Sequence, residues 1–474
     1  MVETVKADLC IIGAGSGGLS VAAGAAQMGA NVVLIEKGKM GGDCLNYGCV
    51  PSKALIAAGH AAEGIRRSGV FGVNGRAPEI RFQDVHDHVH GVIAAIAPHD
   101  SVERFEGLGV RVIQAAARFI GPGEVEADGR RVRARRFVIA TGSSPAVPPI
   151  PGLDKVSYLT NETVFDLTDR PDHLVIIGGG PIGCELAQAH RRLGAEVSVA
   201  EMLTILPNDD PDAVDVVRRR LTAEGVNLHE GATVTAVEPE KNGIAVVARR
   251  DGREHRISGS HLLVAAGRAA NVEGLNLDAA GIAYTPDGVG VDDRLRTSNK
   301  RVYAIGDVVG GHQFTHIAGY HAGIVIRNAL FRLPAKVKTH AVPWVTFTDP
   351  EIAHVGQSEN AARQRNPRVR TLTWPFAEND RARTEHETEG LIKVLVGPRG
   401  SILGATIAGP RAGEMITTWA LAINEGLKIG SIANLIVPYP TLNEVSKRVA
   451  GSYYTDSLFS PRTRRLVSAL QRLP

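Results

Sequence analysis

Four cysteines in 474 residues are too few to staple a fold of this size, so Cys10, Cys44, Cys49 and Cys184 must matter as chemistry or only as small apolar volume. No cysteine follows Cys184. Long apolar runs are missing too: the first begins after Asp8 and is broken by Gly13 and Gly15, and none approaches the ~18 residues a membrane span needs. That pattern is neither a signal peptide nor an anchor. The expectation is a soluble cytoplasmic protein with no membrane span, in which a disulfide would be catalytic rather than structural. There is no excess of one charge sign, since 53 basic against 50 acidic residues leaves +3, and the chain makes no electrostatic case for nucleic acid. The clusters Arg218, Arg219, Arg220 and Arg462, Arg464, Arg465 read as solvated helix faces. With 44% hydrophobic and 22% charged residues, disorder and fibrous structure are excluded.

Glycine, in contrast, is abundant at 53 residues, and much of its meaning lies in an internal repeat. The segment Leu9 to Glu36 recurs from Leu174 to Glu201 at a constant offset of 165. Leu9 to Ile12 leads into Gly13, Gly15 and Gly18, and Leu174 to Ile177 into Gly178, Gly180 and Gly183. A helix-like stretch, a Gly-Ala break, a second strand and a terminal acid, Glu36 or Glu201, follow in both copies. A lone G-x-G-x-x-G is weak. Two copies between strand and helix, each with a carboxylate about 20 residues on, meet the context of a dinucleotide site. The first glycine allows the tight turn, the second lets backbone approach a pyrophosphate, and the third lets helix and strand pack. Each copy is closed by a buried-strand pattern ending in glycine, Phe137 to Gly142 and Leu262 to Gly267. The proline-rich stretch Ser143 to Gly152 reads as a linker.

Glu201 would accept from ribose hydroxyls and repel a 2′-phosphate. Met202 to Pro207 supply no cation, so NADH is favoured over NADPH. Between the first strand pair and the next helix lies Gly-Gly-Asp-Cys-Leu-Asn-Tyr-Gly-Cys-Val-Pro-Ser-Lys, residues 41 to 53. Pro51 followed by good helix formers predicts a helix start. That places Cys49 at the positive end, where a thiolate is stabilised, and Lys53 one turn along. Zinc would need about four ligands at tighter spacing, and no second cluster is present. Cys10 and Cys184 read as small buried apolar residues. His86 and His90, one turn apart, read as part of an amphipathic helix, and no metal site is expected.

Residues 41 to 53 resemble the redox loop of the class I flavoprotein disulfide reductases, which include dihydrolipoamide dehydrogenase, glutathione reductase and mercuric reductase. The resemblance spans the whole chain. It includes Thr141-Gly142, Gly267-Arg268 with Asn271, Ala304 to Asp307, Phe314-Thr315-His316, and Val345 to Glu351 as the opening of a dimerisation domain. It implies an α/β fold with two Rossmann-like dinucleotide-binding domains, for FAD and NAD(P), plus a C-terminal α+β dimerisation domain. The corresponding division is 1–150 and 278–335 for FAD, 151–277 for NAD(P) and 336–474 for the interface. The FAD site would comprise Gly13, Gly15, Gly18, Glu36, Lys37, Gly42, Lys53, Ala117, Thr141, Gly142, Asp307, Phe314, Thr315 and His316. The NAD(P) site would comprise Gly178, Gly180, Ile182, Gly183, Glu201, Val234, Gly267 and Arg268. Cys44 and Cys49 would form the redox disulfide, with Cys49 facing the flavin and Cys44 facing substrate, and Lys53 and Glu185 would pair near the flavin.

The chain departs from the family at one place. The usual His-Pro-Thr-x-x-Glu, donated across a homodimer interface to complete the partner's active site, is here Tyr439-Pro440-Thr441-Leu442-Asn443-Glu444. Tyrosine, with an ordinary pKa near 10, is a poor proton shuttle beside histidine near 6.5. Tyrosine near the site, Gly183 to Ala187 and Thr315-His316 resemble mercuric reductases, yet the C-terminal cysteine pair and N-terminal metal-binding domain of those enzymes are not expected. Three functions therefore stand: reduction of a small disulfide such as lipoamide, or its reverse; reduction of a metal ion or other electrophile at the same thiols; and a flavin redox sensor without substantial turnover.

Overall fold

The structure, a computed structural model, describes residues 3–473. Both repeat copies fold as expected. Thr4–Ile12, Val32–Glu36 and Arg111–Gln114 pair in parallel, with Arg130–Ile139 on the other side of the first strand. Their counterparts are His173–Ile177, Glu196–Glu201 and Val226–Glu230, with His261–Val264 on the other side. Strands buried on both faces read as continuous apolar runs. Accordingly Leu9 to Ile12 and Leu174 to Ile177 lie in the core, as do Cys10 and Cys184. Fully burying each such side chain is worth about 1.5–3 kcal/mol.

The glycines show why the two turns have the same shape. A Cβ on Gly18 would lie 1.9 Å from the Gly13 carbonyl oxygen, and one on Gly183 would lie 2.0 Å from that of Gly178. Gly13 and Gly178, at φ +106° and +110°, press against the Ala140 and Ala265 carbonyls. Helix and strand thus meet at backbone contact in both copies.

Backbone contacts divide the described chain into two compact units, one comprising the chain through Arg66, Arg76–Met202 and Leu228–Lys338. In this unit the proline-rich connector is no free linker. Ser143–Pro145 is a strand antiparallel to Arg268–Ala270, and Val237 N–H donates to the Pro151 carbonyl at 2.9 Å. The segment is pinned because proline removes only an N–H: the Pro151 carbonyl still accepts, and Ala146 N–H donates to the Gly267 carbonyl at 2.9 Å.

The other unit comprises Arg67–Gly75, Leu203–Asn227 and the chain from Thr339. Its antiparallel sheet runs Pro343–Thr346, Glu351–Gly356, Ile402–Gly409, Leu391–Val396, Arg370–Pro375. Trp419 and Phe376 anchor its core at 0% exposure. The helix Pro211–Ala223 joins this unit through an ion cluster. Lys393 Nζ lies 2.7 Å from Asp210, the helix N-cap, and 2.5 Å from Asp212; the Lys393 and Asp210 side chains are 8% and 9% exposed. Of the arginines expected on solvated faces, Arg462, Arg464 and Arg465 are exposed, but the Arg220 side chain is only 11% exposed and meets Glu389 at 2.9 Å. That reading of Arg220 is corrected: its helix face turns toward a carboxylate far along the chain, not toward water.

Candidate active site

The redox loop begins on the first glycine turn. Gly41 N–H donates to the Ala14 carbonyl at 3.0 Å, and a Cβ on Gly42, at φ +60°, would lie 2.7 Å from Gly15 Cα. A short helix, Gly42–Asn46, carries Cys44, and the longer helix Cys49–Arg67 starts at Cys49 itself. Both thiols are free, Cys44 half-buried and Cys49 exposed. Thr315, at the start of the helix Thr315–Ala329, brings its hydroxyl to 3.3 Å from Cys49 Sγ. Lys53 Nζ donates to Glu185 Oε2 at 2.7 Å, and Glu185 is buried.

This setting separates the two sulfurs. A hydrogen bond from Cys44 is the leading influence holding the Cys49 thiol down to about 6; Thr315 and the Lys53 charge act the same way, while burial and Asp43 oppose them. Cys44 is pushed far above the ordinary thiol range, first by its bond to Cys49 and then by burial. The reduced pair therefore holds a thiolate on Cys49 and a proton on Cys44, the arrangement needed for a directional exchange.

The two acids sit in matching positions. Glu36 Oε2 accepts from Ala14 N–H at 2.5 Å, and Glu201 Oε2 accepts from Gly179 N–H at 2.7 Å, the same bond repeated at the sequence offset. Both turns also fit a dinucleotide. The helices Ser16–Gln27 and Pro181–Arg192 have Gly15 and Gly180 as N-caps, with no side chain capping either. Their first-turn amides suit a pyrophosphate, and the space beside Gly180 is open, with no atom within 4 Å of a Cβ there. FAD at the first turn and NAD(P) at the second are compatible with this donor set.

The remaining expected residues fall into two groups. Near the first turn, Thr141 Oγ1 donates to the Asn271 carbonyl at 2.8 Å, and the Asn271 amide returns a bond to the Thr141 carbonyl at 2.9 Å. Gly142 takes φ +69°. Phe314 stacks on His316 with ring centroids 5.2 Å apart. Asp307 is held by Ser143 Oγ at 2.6 Å, and burial raises its carboxyl above the ordinary range. Ala117 is buried in an adjoining strand, and Lys37 is exposed directly after Glu36. In the second group, Ile182 is half-buried in the helix of the second turn, Gly267 is exposed, and Val234 packs on the core beneath. Arg268 does not stand with them. Its guanidinium lies among Ser143, Asp43 at 3.1 Å and Asp307 at 3.9 Å; the Ser143–Pro145 pairing folds it back toward the redox loop. In the other unit, exposed Tyr439 donates to Asp380 at 3.2 Å, which raises its hydroxyl above the ordinary range, and Glu444 opens the helix Glu444–Leu458.

Sequence reasoning missed Asp43, Ser143, Asn161 and His321. Buried His321 accepts from Gly306 N–H at 3.2 Å through Nδ1, beside Asp307, and desolvation lowers it to about 4. Its place on the buried stripe of Thr315–Ala329, three or four residues from Ala318, Ile317, Ile324 and Val325, is the signal that could have found it. The His86 and His90 rings lie 4.2 Å apart at a 40° tilt, but each has its own acceptor, Asp87 and the Phe165 carbonyl. Among the described residues no group of three or more His, Cys, Asp or Glu could hold a metal ion, and no helix is long and apolar enough to cross a membrane.

Comparison with known proteins agrees with this geometry. Residues 7–322 match the family model "Pyridine nucleotide-disulphide oxidoreductase", and residues 342–450 match the dimerisation domain of that family. The chain is 35% identical over 453 residues to a mercuric reductase of Staphylococcus aureus, covering 95% of this chain and 83% of that protein. It is 34% identical over 455 residues to a dihydrolipoyl dehydrogenase of Bacillus subtilis, covering 94% and 96%. Among solved structures it is similar to the HOCl-induced flavoprotein disulfide reductase RclA of Escherichia coli, with a TM-score of 0.84, 27% identity and coverage of 94% and 99%. It is likewise similar to LpdA of Mycobacterium tuberculosis, with a TM-score of 0.86, 28% identity and coverage of 95% and 99%. The chain belongs to the pyridine nucleotide-disulphide oxidoreductases, a flavoprotein family whose members join FAD and NAD(P) chemistry to a sulfur centre.

Proposed function

We propose that the chain uses NADH to reduce a small disulfide of the lipoamide kind, or runs the reverse reaction, through Cys44 and Cys49. The supporting observation is the placement of Cys49 at a helix N-terminus, touching Thr315, with Cys44 as its hydrogen-bond donor. FAD held by Gly13, Gly15, Gly18, Glu36 and Asp307 supplies the two-electron link between pyridine nucleotide and disulfide that no side chain provides. Lys53, fixed by Glu185, keeps a positive charge near Cys49 as the Cys44–Cys49 bond opens. Cys44 then gives up its proton and attacks the substrate disulfide: a Cys44–substrate bond forms as the substrate S–S bond breaks, and the departing sulfur takes the proton that Cys44 released. The Cys49 thiolate attacks Cys44 in turn, which restores the disulfide and releases the second sulfur, and this takes the one proton drawn from outside the pair. The balance is NADH, one proton and one disulfide giving NAD⁺ and two thiols. Tyr439 and Glu444 of the partner subunit would supply the proton in a homodimer. The functional division remains 1–150, 151–277, 278–335 and 336–474.

Glu201, bonded to Gly179 and followed by exposed Met202 and Leu203 rather than a cation, supports NADH over NADPH. Replacing Cys44 by Ser is expected to abolish disulfide turnover while NADH still bleaches the yellow enzyme. Unchanged turnover would overturn the assignment. Tyr439 in place of histidine favours a second reading, reduction of a metal ion such as Hg(II) or another electrophile at the same thiols. An anaerobic panel of lipoamide, glutathione disulfide, Hg(II), quinones and hypohalous-type oxidants separates the two, and slow bleaching by both coenzymes would point to the sensor role.

A further inference from the structure

Arg268 is the one residue of the second nucleotide group whose side chain is committed elsewhere. Nη2 lies 3.1 Å from Asp43 Oδ2 and 2.8 Å from the Ser143 carbonyl, and Nε donates to Ser143 Oγ at 2.7 Å. Ser143 Oγ passes its own proton to Asp307 Oδ2 at 2.6 Å. The other Asp43 oxygen accepts from Asn161 Nδ2 at 3.1 Å, and the same amide holds the Tyr47 carbonyl at 3.1 Å. The Arg268 side chain is 12% exposed, so this is a half-buried charge network in which the Arg fork is hard to replace.

Asp43 stands next to Cys44 in the chain and reaches over the loop to Gly48, where a Cβ would lie 2.9 Å from its Oδ2. A carboxylate is thus set against the loop that joins the two thiols, with Arg268 as its cation. We propose that Arg268 is a positioning residue of the redox loop: it neutralises Asp43, so that Cys49 keeps its thiolate, and through Ser143 it ties that loop to the Asp307 motif of the flavin site. The inference rests on the disulfide reading of Cys44 and Cys49.

The groups facing Cys49 are few. Cys44 and Asp43 come from the short helix, Lys53 from its own helix with Glu185 behind it, and Thr315 from the opposing helix. Asp43 opposes the thiolate while Lys53, Thr315 and Cys44 favour it. Without Arg268 the Asp43 charge acts in full, and Asp307 also loses a cation that offsets its burial. Lys in place of Arg keeps the charge but cannot hold Asp43 and both Ser143 oxygens in one plane.

The test is the pH profile of Cys49 alkylation by iodoacetamide in the FAD-loaded, chemically reduced protein, with FAD retention after filtration as a second readout. Arg268→Met is expected to raise the alkylation midpoint by about one pH unit, the scale of a nearby charge, and to lose flavin more readily. Asp43→Asn is expected to lower the midpoint, and the double variant to return it near the wild-type value. Arg268→Lys is expected to keep the midpoint and weaken FAD retention. Should Arg268→Met fail to fold, Arg268→Gln, which still bonds Ser143, serves in its place. A wild-type midpoint in Arg268→Met or Arg268→Gln overturns the inference. A wild-type protein whose Cys49 titrates as an ordinary thiol overturns the disulfide reading itself.

Discussion

At the scale of single residues, the asymmetry between two cysteines five positions apart carries the chemistry. Because Cys49 titrates near 6 in the folded, reduced protein and near 8.5 when unfolded, the unfolded chain binds the extra proton between these values. Stability of the reduced form therefore rises with pH from about 6 to about 8.5, and is lost as pH falls through about 6. Chemical denaturation of the reduced protein at pH 5.5 and pH 8 should show that order, and Cys49→Ser should flatten it. Cys44→Ala removes the hydrogen bond that leads in holding the Cys49 thiol down, so the Cys49 midpoint is expected to move upward. Tyr439 makes the complementary prediction. Tyr439→His would set an imidazole beside Asp380 and restore a shuttle that works near neutrality. Dihydrolipoamide oxidation at pH 7 should rise at least several-fold, whereas an unchanged rate would show that another group moves the proton. The thiols and Lys53 were legible in the sequence because motif and spacing named them, and Glu185 because the family resemblance did. Asp43 and Ser143 were not, since nothing local marks an aspartate before a cysteine or a serine after a glycine as members of one network.

At the scale of elements, the repeated strand–turn–helix was readable because its glycines answer to steric demands within a few residues. The two glycine roles differ measurably. Gly183 has the Gly178 carbonyl oxygen 2.0 Å from where a Cβ would stand, whereas Gly180 faces open space. Gly183→Ala is expected to lower the melting temperature and the yield of folded protein. Gly180→Ala should leave melting unchanged and raise KM for NADH several-fold, because its methyl enters the space a pyrophosphate would fill. Equal melting losses in both would refute the distinction. What periodicity could not supply was pairing at long range. The proline-rich connector looked like a linker because its prolines break local structure, yet Ser143 and Ser144 find their ladder partners in Ala270 and Ala269, some 125 residues on. That pairing also decides where Arg268 points.

At the scale of the whole molecule, the family was legible from motifs spread along the entire chain, while the grouping of segments into compact units was not. Arg220 and Lys393 both sit in ion pairs between distant segments, and no sequence window contains both partners. The proposal that the partner subunit completes each active site of the homodimer can be tested by subunit mixing. Cys44→Ser and Glu444→Gln homodimers should each be nearly inactive. Denatured together and refolded at equal amounts, they should recover roughly a quarter of wild-type activity, because about half the dimers would be mixed, each with one intact site. No recovery would mean that each chain completes its own site. The Lys393–Asp210 pair also bears on how the protein can be dissected. A fragment starting at Thr339 would lose Asp210 and Asp212 and leave Lys393 with the more distant Glu359, at 3.8 Å, so it is expected to be less stable than the same residues in the intact unit. A usable C-terminal fragment must therefore carry Leu203–Asn227 as a tethered or co-expressed peptide, so a simple truncation would misrepresent the stability of this region.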